Sequence, residues 1–315
     1  MNKRLLLLAP LALALTACGS SGNNGTPSAA PTAATTTAQM APTPASTTPA
    51  SATPATSAST AAPSADASAA DASSDAQNAS SGMDAAAKAA MVKAAHDFVD
   101  NGQWVEGKNY FVIEPQQPKV TDTDKVEVVE VFSYGCPACN QAHPMIDKLR
   151  ADLPAYATMA YLPAGFRPDE NWVVYQRAYY AAKALGVADK TYDAMFDATW
   201  KTGETATYDL ATGRPKPRSQ WPDIHDIAKF YAKYGVSPEQ FVAVANSFAV
   251  NTQIKRADEL IKDYAVPATP TIVIDGKYRF SFVTAGTYDK GIALAKWLIA
   301  KEAKRLVDQQ QAAGK

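Results

Sequence analysis

Apolar and polar positions along the chain predict a mixed succession of helices and strands from about residue 84 onwards. Residues 84–99 carry helix formers, with Met91, Ala95 and Phe98 at helical spacing. Val126 to Ser133 is β-branched and apolar, as expected of a central strand. Weaker patterns nearby predict an extended segment at 105–113, a helix at 139–152 and a strand at 159–162.

The pattern then becomes helical from about Asn171 to Tyr264. It predicts one helix closed by Gly186 and others near 191–200, 223–234, 238–247 and 251–264. The Gly- and Pro-rich stretch 202–222 is expected to be a loop. The last predicted elements are a strand at 271–274, a turn at Asp275-Gly276, a partner strand at 277–283 and a helix at 288–312. The predicted order is therefore βαβ, a helical block and then ββα.

The first 18 residues have the pattern of an export signal. Lys3 and Arg4 precede an apolar run from Leu5 to Leu15, which is too short to span a bilayer as a stable helix. The residues that end at Cys18, Leu-Thr-Ala-Cys, resemble a bacterial lipobox, in which the peptide is cut before a cysteine that carries lipid. We expect residues 1–18 to be a lipoprotein signal peptide with Cys18 as its lipidation site. An ordinary signal peptide with an incidental cysteine is the alternative.

Residues 19–83 consist almost entirely of Ala, Ser, Thr, Pro and Gly. Such a segment cannot bury enough apolar surface to offset the entropy of ordering, so we expect a disordered tether. A flexible chain of about 65 residues has a root-mean-square reach of roughly 45 Å. The net charge of −1 gives no indication of nucleic-acid binding. No later apolar run is long enough to predict a transmembrane helix.

The chain has three cysteines, Cys18, Cys136 and Cys139. If Cys18 carries lipid, the exported part holds one pair, separated by two residues. A disulfide over so short a loop stabilises a fold only weakly, which argues against a structural staple. Zinc needs four ligands. The histidines His96, His143 and His225 do not have the spacing from the cysteines that zinc fingers show. We expect a redox-active pair that needs no metal or other cofactor, with the staple and the metal site as alternatives.

Cys136 lies where the predicted strand gives way to the predicted helix. The free N–H groups and the dipole of a helix N-terminus stabilise a thiolate, which predicts a pKa lowered into the range of about 3.5–7.5. A thiolate of low pKa is also a good leaving group. Cys136 is therefore expected to form the mixed disulfide with a client, and Cys139, one turn further on, to resolve it. Pro137 falls at an early helical position, where its missing N–H costs nothing.

Several residues around the pair have both a functional and an ordinary interpretation. Glu130, six residues before Cys136, is expected to be a buried proton acceptor for Cys139, with an outward-facing glutamate at a sheet edge as the alternative. His143 is expected to be an exposed helix residue, and stabilisation of the thiolates is its alternative role. Core positions, rather than the lining of a client groove, are expected for the aromatics Phe132, Tyr134 and Phe166.

The run from Phe132 to Cys139, Phe-Ser-Tyr-Gly-Cys-Pro-Ala-Cys, resembles the active-site sequence of the DsbA family of periplasmic thiol:disulfide oxidoreductases. Thr269-Pro270-Thr271, followed by Asp-Gly-Lys-Tyr at 275–278, looks like that family's cis-proline loop and hairpin. The resemblance extends from Tyr110 to the C-terminal helix. It implies an α/β, thioredoxin-like fold with an inserted helical domain at about 165–265, within a catalytic domain at 84–315.

The resemblance also implies roles for individual residues. Pro270, rather than Pro267, takes the cis position, with two ordinary trans prolines as the alternative. The backbone of Thr269 then lies beside Cys136, where an extended client can pair with it by strand addition. The residues expected to contact the client are Pro137, Ala138 and Thr269. The implied partners are reduced or unfolded exported proteins and a membrane reoxidant similar to DsbB, and the implied location is the periplasm, on a lipid anchor.

Two positions depart from the best-known members of the family. Ala138 stands where they have His, and Thr269 stands where they have Val, although Thr also occurs in disulfide isomerases. We expect a protein that donates its disulfide to exported proteins. The alternatives are a reductase or isomerase kept reduced by a membrane donor, and a client-binding lipoprotein without enzymatic activity.

Overall fold

A mixed five-stranded sheet organises residues 82–314, the part of the chain that the computed structural model describes. The predicted signal peptide, Cys18 and nearly all of the predicted tether lie outside these residues. The strands are β1 Phe111–Val112, β2 Val126–Phe132, β3 Ala157–Pro163, β4 Tyr208–Asp209, β5 Arg214–Pro215, β6 Thr271–Ile274 and β7 Tyr278–Phe280. The strands β4 and β5 form a separate small hairpin.

Helices surround the sheet and fill the interval between β3 and β6. They are α1 Ala85–Asp97, α2 Pro137–Ala151, α3 Trp172–Ala184, α4 Ala188–Trp200, α5 Ile224–Ala232, α6 Pro238–Ala245, α7 Phe248–Asp263, α8 Phe282–Ala285 and α9 Tyr288–Ala313. Side chains cap several helix starts: Ser237 accepts a hydrogen bond from an N–H of α6, Ser247 from one of α7 and Thr287 from one of α9. None of these helices combines the length and the apolar character that a membrane crossing requires.

The sheet has the strand order β1-β7-β6-β2-β3. Strands β2 and β3 are parallel, with Val129 opposite Ala160, and α2 makes the crossover between them. The remaining neighbours are antiparallel, including β2 and β6, where Val129 lies opposite Val273. The order βαβ, helical block and ββα is as predicted, which confirms the expected α/β class.

The interior strand β2 is buried along its whole length. Every residue of β2 is buried, because β3 and β6 flank it and helices cover it. The helix α9 packs on β2 and β6 and also contacts α1 and α2. The helix α3 packs against α4, α6 and α7, and α3 and α7 contact β3. Full burial of a Val, Leu or Phe side chain contributes about 1.5–3 kcal/mol, so this layered core dominates the stability of the fold.

Turn chemistry shortens two predicted strands. Only Phe111 and Val112 of the segment 105–113 pair with β7, because a turn precedes them in which the N–H of Asn109 donates to the carbonyl of Val105 at 2.8 Å. The strand expected at 277–283 ends at Phe280. Ser281 then forms a capping box with Thr284 and starts α8.

Two other boundaries also differ from the expectation. The helix after Cys136 begins at Pro137 rather than at Cys139, since proline is well suited to the first helical position. The stretch 202–222 is largely irregular, as predicted, but it contains the two-residue strands β4 and β5 and a short 3₁₀ turn.

Candidate functional site

The N-terminus of α2 positions Cys136. This residue is the N-cap of the helix, with an extended backbone, and its N–H donates to the carbonyl of Ser133 at 3.1 Å. Its Sγ accepts a hydrogen bond from the backbone N–H of Cys139 at 3.3 Å. The sulfur therefore satisfies one of the free N–H groups of the helix, and the positive end of the helix dipole faces it.

The loop before β6 brings a second donor to the same sulfur. The Thr269 hydroxyl donates to Cys136 Sγ at 3.2 Å, and the Thr269 carbonyl oxygen lies 3.6 Å from that sulfur. The peptide bond between Thr269 and Pro270 is cis, as the choice of Pro270 over Pro267 required. The predicted proximity of the Thr269 backbone to Cys136 is therefore confirmed.

The two sulfurs have opposite electrostatic environments. Hydrogen bonds lower the pKa of the Cys136 thiol from 9.0 to about 6, the largest contribution coming from the Cys139 side chain, with further ones from the Thr269 hydroxyl and two backbone N–H groups. Burial opposes this shift without cancelling it. Burial raises the pKa of Cys139 well above its ordinary value, and the neighbouring Cys136 sulfur adds to that effect. At neutral pH the pair therefore consists of a thiolate and a thiol.

Exposure is equally unequal around the pair. Cys136 is 4% exposed and Cys139 is completely buried, whereas Pro137 and Ala138 are both exposed. A protein client can approach over Pro137 and Ala138 to reach the Cys136 sulfur. Cys139 has no comparable access, so the arrangement suits one attacking sulfur and one resolving sulfur.

Glu130 lies in the middle of β2 and is 1% exposed. The alternative of an outward-facing glutamate at a sheet edge is therefore wrong. Its Oε2 accepts a hydrogen bond from the Tyr192 hydroxyl at 2.6 Å. Burial raises the pKa of Glu130 from 4.5 to about 8, with a small further contribution from the nearby Cys136 sulfur. A carboxyl group with this pKa can both give and take a proton near neutral pH.

The structure corrects the expectation for His143. Its side chain is only 12% exposed, because this face of α2 turns towards α4 and the imidazole stacks on Phe196 with ring centroids 4.4 Å apart. Its Nε2 lies 3.5 Å from Asp193 and 3.8 Å from Asp147. Burial lowers the pKa of His143, so the ring is neutral at physiological pH.

Within residues 82–314, one group of side chains lies close enough together to hold a metal ion. It consists of His143, Asp147 and Asp193. The guanidinium of Arg150 already lies on both carboxylates, 2.8 Å from Asp147 and 3.2 Å from Asp193. This cation supplies the charge that a metal ion would otherwise provide. The group includes neither cysteine, so it does not revive the alternative of a metal site at the pair.

The helical block braces the turn that carries Cys136. The Trp200 indole N–H donates to the carbonyl of Tyr134 at 2.7 Å. Gly135 lies so close to α3 that an added Cβ would be 2.9 Å from the ring of Tyr175 and 3.1 Å from that of Trp172. Any side chain at Gly135 would therefore displace the turn. The sequence alone does not predict these contacts, since no local pattern connects Trp200 with a turn more than sixty residues earlier.

The three aromatic residues near the strands have different surroundings. Phe132 and Tyr134 are buried, as predicted, and their rings meet edge to face with centroids 5.1 Å apart. Phe166 is 42% exposed, so the prediction of a core position is wrong for this residue. It lines a cavity of about 480 Å³ together with Gly165, Asp258, Ile261, Lys262, Val266 and Pro267.

Comparison with known proteins gives concordant results. The family model described as Thioredoxin matches residues 122–292. The chain is 35% identical over 199 residues to the thiol:disulfide interchange protein DsbA of Pseudomonas aeruginosa, covering 63% of this chain and 86% of that protein. It is 33% identical over 196 residues to the DsbA of Pseudomonas syringae pv. tomato, covering 62% of this chain and 83% of that protein.

Solved structures show the same relationship. The crystal structure of Pseudomonas aeruginosa DsbA aligns with a TM-score of 0.54 at 32% identity, over 69% of this chain and 100% of that one. The oxidoreductase DsbA from Xylella fastidiosa aligns with a TM-score of 0.55 at 29% identity, over 63% of this chain and 97% of that one. The expected thioredoxin-like fold with an inserted helical domain is confirmed.

Fold, cysteine geometry and relatives together define the class of protein: it is a thiol:disulfide oxidoreductase. Within that class, the chain belongs to the DsbA family of thiol:disulfide interchange proteins.

Proposed function

We propose that this protein donates the Cys136–Cys139 disulfide to reduced exported proteins in the periplasm. The observation that carries the proposal is the set of donors around Cys136 Sγ, the Cys139 N–H at 3.3 Å and the Thr269 hydroxyl at 3.2 Å. These donors stabilise the Cys136 thiolate, which exists only in the reduced protein. An interaction that stabilises the reduced form makes the disulfide a stronger oxidant, so the pair is suited to oxidising the thiols of a client.

The reaction proceeds through a mixed disulfide at Cys136. A client thiolate attacks Cys136 Sγ, the bond to Cys139 breaks, and Cys139 leaves and takes up a proton. A second client thiolate then attacks the client sulfur of the mixed disulfide, and Cys136 leaves as a thiolate. The client loses two electrons and gains a disulfide, while the Cys136–Cys139 pair gains the two electrons. A membrane partner similar to DsbB is the reoxidant that this cycle requires.

Client binding uses the surface around the exposed turn. Pro137 and Ala138 are exposed beside the reactive sulfur, and the Thr269 backbone lies within 3.6 Å of it. An extended client segment can pair with the backbone of Thr269 and Pro270 by strand addition, which gives affinity without requiring a particular client sequence. Glu130 exchanges the proton that Cys139 gains or loses.

The location proposed for this activity is the periplasmic face of a bacterial membrane, inner or outer, on a lipid anchor. In this proposal Cys18 carries the lipid, and residues 19–83 are the tether that joins it to the catalytic domain. Support for the anchor comes from the lipobox-like residues that end at Cys18. Replacement of Cys18 by Ser should abolish the incorporation of labelled fatty acid into the protein, and a variant that still takes up the label would contradict the anchor.

The redox state of the protein in its own cells tests the direction of catalysis. Cells are quenched with acid, free thiols are alkylated with a reagent that adds mass, and the oxidised fraction is read from the shift. A donor should be mostly oxidised and should introduce disulfides into a reduced, unfolded two-cysteine protein. A mostly reduced pair would favour the reductase or isomerase instead, and a Cys136→Ala variant that still supports client oxidation would exclude the mechanism.

A further inference from the structure

Tyr192 and Glu130 form a buried hydrogen-bonded pair that connects the helical block with the sheet. Tyr192 lies on α4 and Glu130 on β2, each is 1% exposed, and 2.6 Å separates the Tyr192 hydroxyl from Glu130 Oε2. A buried carboxyl group with a donor on one oxygen is more stable than one with none. The hydroxyl also fixes the rotation of the carboxyl group.

The second oxygen of Glu130 is in a different situation. Oε1 is buried and has no hydrogen-bond partner among the described residues. When Oε2 accepts from Tyr192, the proton of the neutral acid resides on Oε1, because the accepting oxygen acts as the carbonyl of the carboxyl group. Oε1 is thus the oxygen from which a proton can be exchanged.

Packing holds the Tyr192 ring in place on several sides. The Tyr161 ring stacks on it with centroids 3.9 Å apart, and Phe132 and Phe196 meet it edge to face at 5.1 Å and 5.5 Å. Arg150 donates to the Tyr161 hydroxyl at 3.2 Å and so holds the stacked ring in turn. A phenol fixed in this way cannot follow the carboxyl group if that group rotates, so it determines where Glu130 lies.

The titratable and charged groups around Glu130 come from three elements and one turn. These groups interact electrostatically with the Glu130 carboxyl group. They are Cys136 in the turn, Cys139, Asp147 and Arg150 on α2, Tyr161 on β3 and Tyr192 on α4. The neighbour in β6 is the apolar Ile272. Of these groups, Tyr192 is the one that donates a hydrogen bond to the carboxyl group.

We propose that Tyr192 is a positioning residue for the thiol–disulfide reaction, which holds Oε2 of Glu130 so that Oε1 exchanges the proton of Cys139. This inference rests on the proposed function, because it assigns a partner to the acid of that same site. When Cys139 attacks a mixed disulfide, its proton moves to Oε1, its sulfur bonds to Cys136 Sγ, and the client leaves as a thiolate. When Cys139 is the leaving group, the proton returns from Oε1.

Resolution of a mixed disulfide by Cys139 is the step to measure. Reduced protein is converted at pH 4 to the Cys136–glutathione disulfide with an activated glutathione disulfide, and release of glutathione is followed after a jump to each pH from 5.5 to 9.5. The leaving group is glutathione, so the ionisation of Cys136 does not enter this rate. In the wild type the rate should rise with the ionisation of Glu130.

Tyr192→Phe removes the hydroxyl and keeps the ring. Loss of a hydrogen bond to a carboxylate is expected to move the midpoint of the pH profile up by about one unit and to slow resolution about tenfold at pH 7. Tyr134→Phe is the matched control, since this buried hydroxyl of the same aromatic cluster has no hydrogen-bond partner within residues 82–314. Its midpoint should stay at the wild-type value.

A double-mutant cycle with Glu130→Gln separates positioning from general destabilisation. In the Gln background, Tyr192→Phe should not move the profile further, because the titrating group is gone. A Tyr192→Phe variant that loses stability but keeps the wild-type midpoint would overturn the proposal, as would an equal shift in both backgrounds. If Glu130→Gln keeps the wild-type profile, Glu130 is not the proton carrier and the proposal fails. Disulfide donation by the wild-type protein, measured separately with a reduced client, would still stand.

Discussion

The Thr269 hydroxyl donates a hydrogen bond to Cys136 Sγ over 3.2 Å, although the two residues are 133 positions apart in the sequence. The donor is a side chain on the loop before β6 rather than a residue of the cysteine motif. The stability of the thiolate therefore depends on a position that the motif itself does not contain.

Replacement of Thr269 by Val should raise the pKa of Cys136 above its present value of about 6, because Val has the same shape and no hydroxyl to donate. A less stable thiolate also makes the disulfide a weaker oxidant, by about 30 mV for each 1.4 kcal/mol. Thiolate absorbance against pH and a glutathione redox titration measure the two effects. Thr252→Val, at an exposed position of α7, is the control, and a variant with an unchanged pKa and potential would remove Thr269 from this role.

Alkylation should distinguish the two cysteines of the reduced protein. Labelling of Cys136 by iodoacetamide should follow a midpoint near its pKa of about 6, since only the thiolate reacts. Cys139 is completely buried and its pKa is raised, so it should stay unlabelled until the protein unfolds. Peptide mass spectrometry after brief labelling at pH 6.5 gives the ratio. Equal labelling of the two residues, or faster labelling of Cys139, would reverse their assignment.

Ala138 occupies an exposed position between the cysteines, and its methyl side chain can offer the Cys136 thiolate neither a hydrogen bond nor a charge beyond what the backbone N–H already supplies. Ala138→His should lower the pKa of Cys136 further and make the pair more oxidising, by roughly 30 mV or more. Paired redox titrations of wild type and variant test this directly. An unchanged or lower potential would mean that the helix N-terminus and Thr269 already supply all the stabilisation available to the thiolate.

Glu130→Gln should stabilise the oxidised protein at pH 8 but not at pH 4.5. Burial, the main cause of the raised pKa of Glu130, is also present in the oxidised protein, although the Cys136 charge that helps to raise it to about 8 in the reduced protein is absent. The folded-state pKa therefore lies above the ordinary value of 4.5, so the stability linked to protonation is complete below pH 4.5 and is lost as the pH rises through the folded-state pKa. Gln does not titrate, so its stability does not fall across this pH window. The free energy of unfolding of the variant should therefore exceed that of the wild type by a few kcal/mol at pH 8, at about 1.4 kcal/mol per pH unit.

Denaturant unfolding at the two pH values measures this difference, and Glu239→Gln on the exposed surface of α6 is the control. A gain that is the same at both pH values would show that Glu130 does not titrate in the folded protein. Because the oxidised protein has no thiols at the site, the cysteines do not contribute to the result.

Much of the fold could be predicted because its signals are local. The apolar run of β2, the proline that starts α2 and the Asp275–Gly276 turn each specify their own element. Strand boundaries were less predictable where a side chain competes with the sheet, as the cap of Ser281 does. His143 was misplaced because its burial depends on α4, which is far away in the sequence. Phe166 was misplaced because it follows β3 in a loop, where its ring contacts Trp172 but stays 42% exposed.

The distinction between local signals and long-range contacts also applies to the site. Cys136, Cys139 and Glu130 lie on one strand–turn–helix unit, so spacing was enough to propose them. Tyr192 and Trp200 act across more than sixty residues and through a single hydrogen bond each. Nothing in the sequence around α4 distinguishes Tyr192 from the many other buried tyrosines of this chain, so only the three-dimensional arrangement could identify it.

The brace between Trp200 and the carbonyl of Tyr134, with α3 pressed against Gly135, has a consequence for modularity. The cysteine turn cannot be transplanted onto a bare thioredoxin core with its properties intact, because the helical block supplies part of its support. Selection can equally retune the redox pair by altering α3 or α4 while the Cys-Pro-Ala-Cys motif stays constant. Relatives with identical motifs can therefore diverge in chemistry, and the reason would be found in their helical insertions.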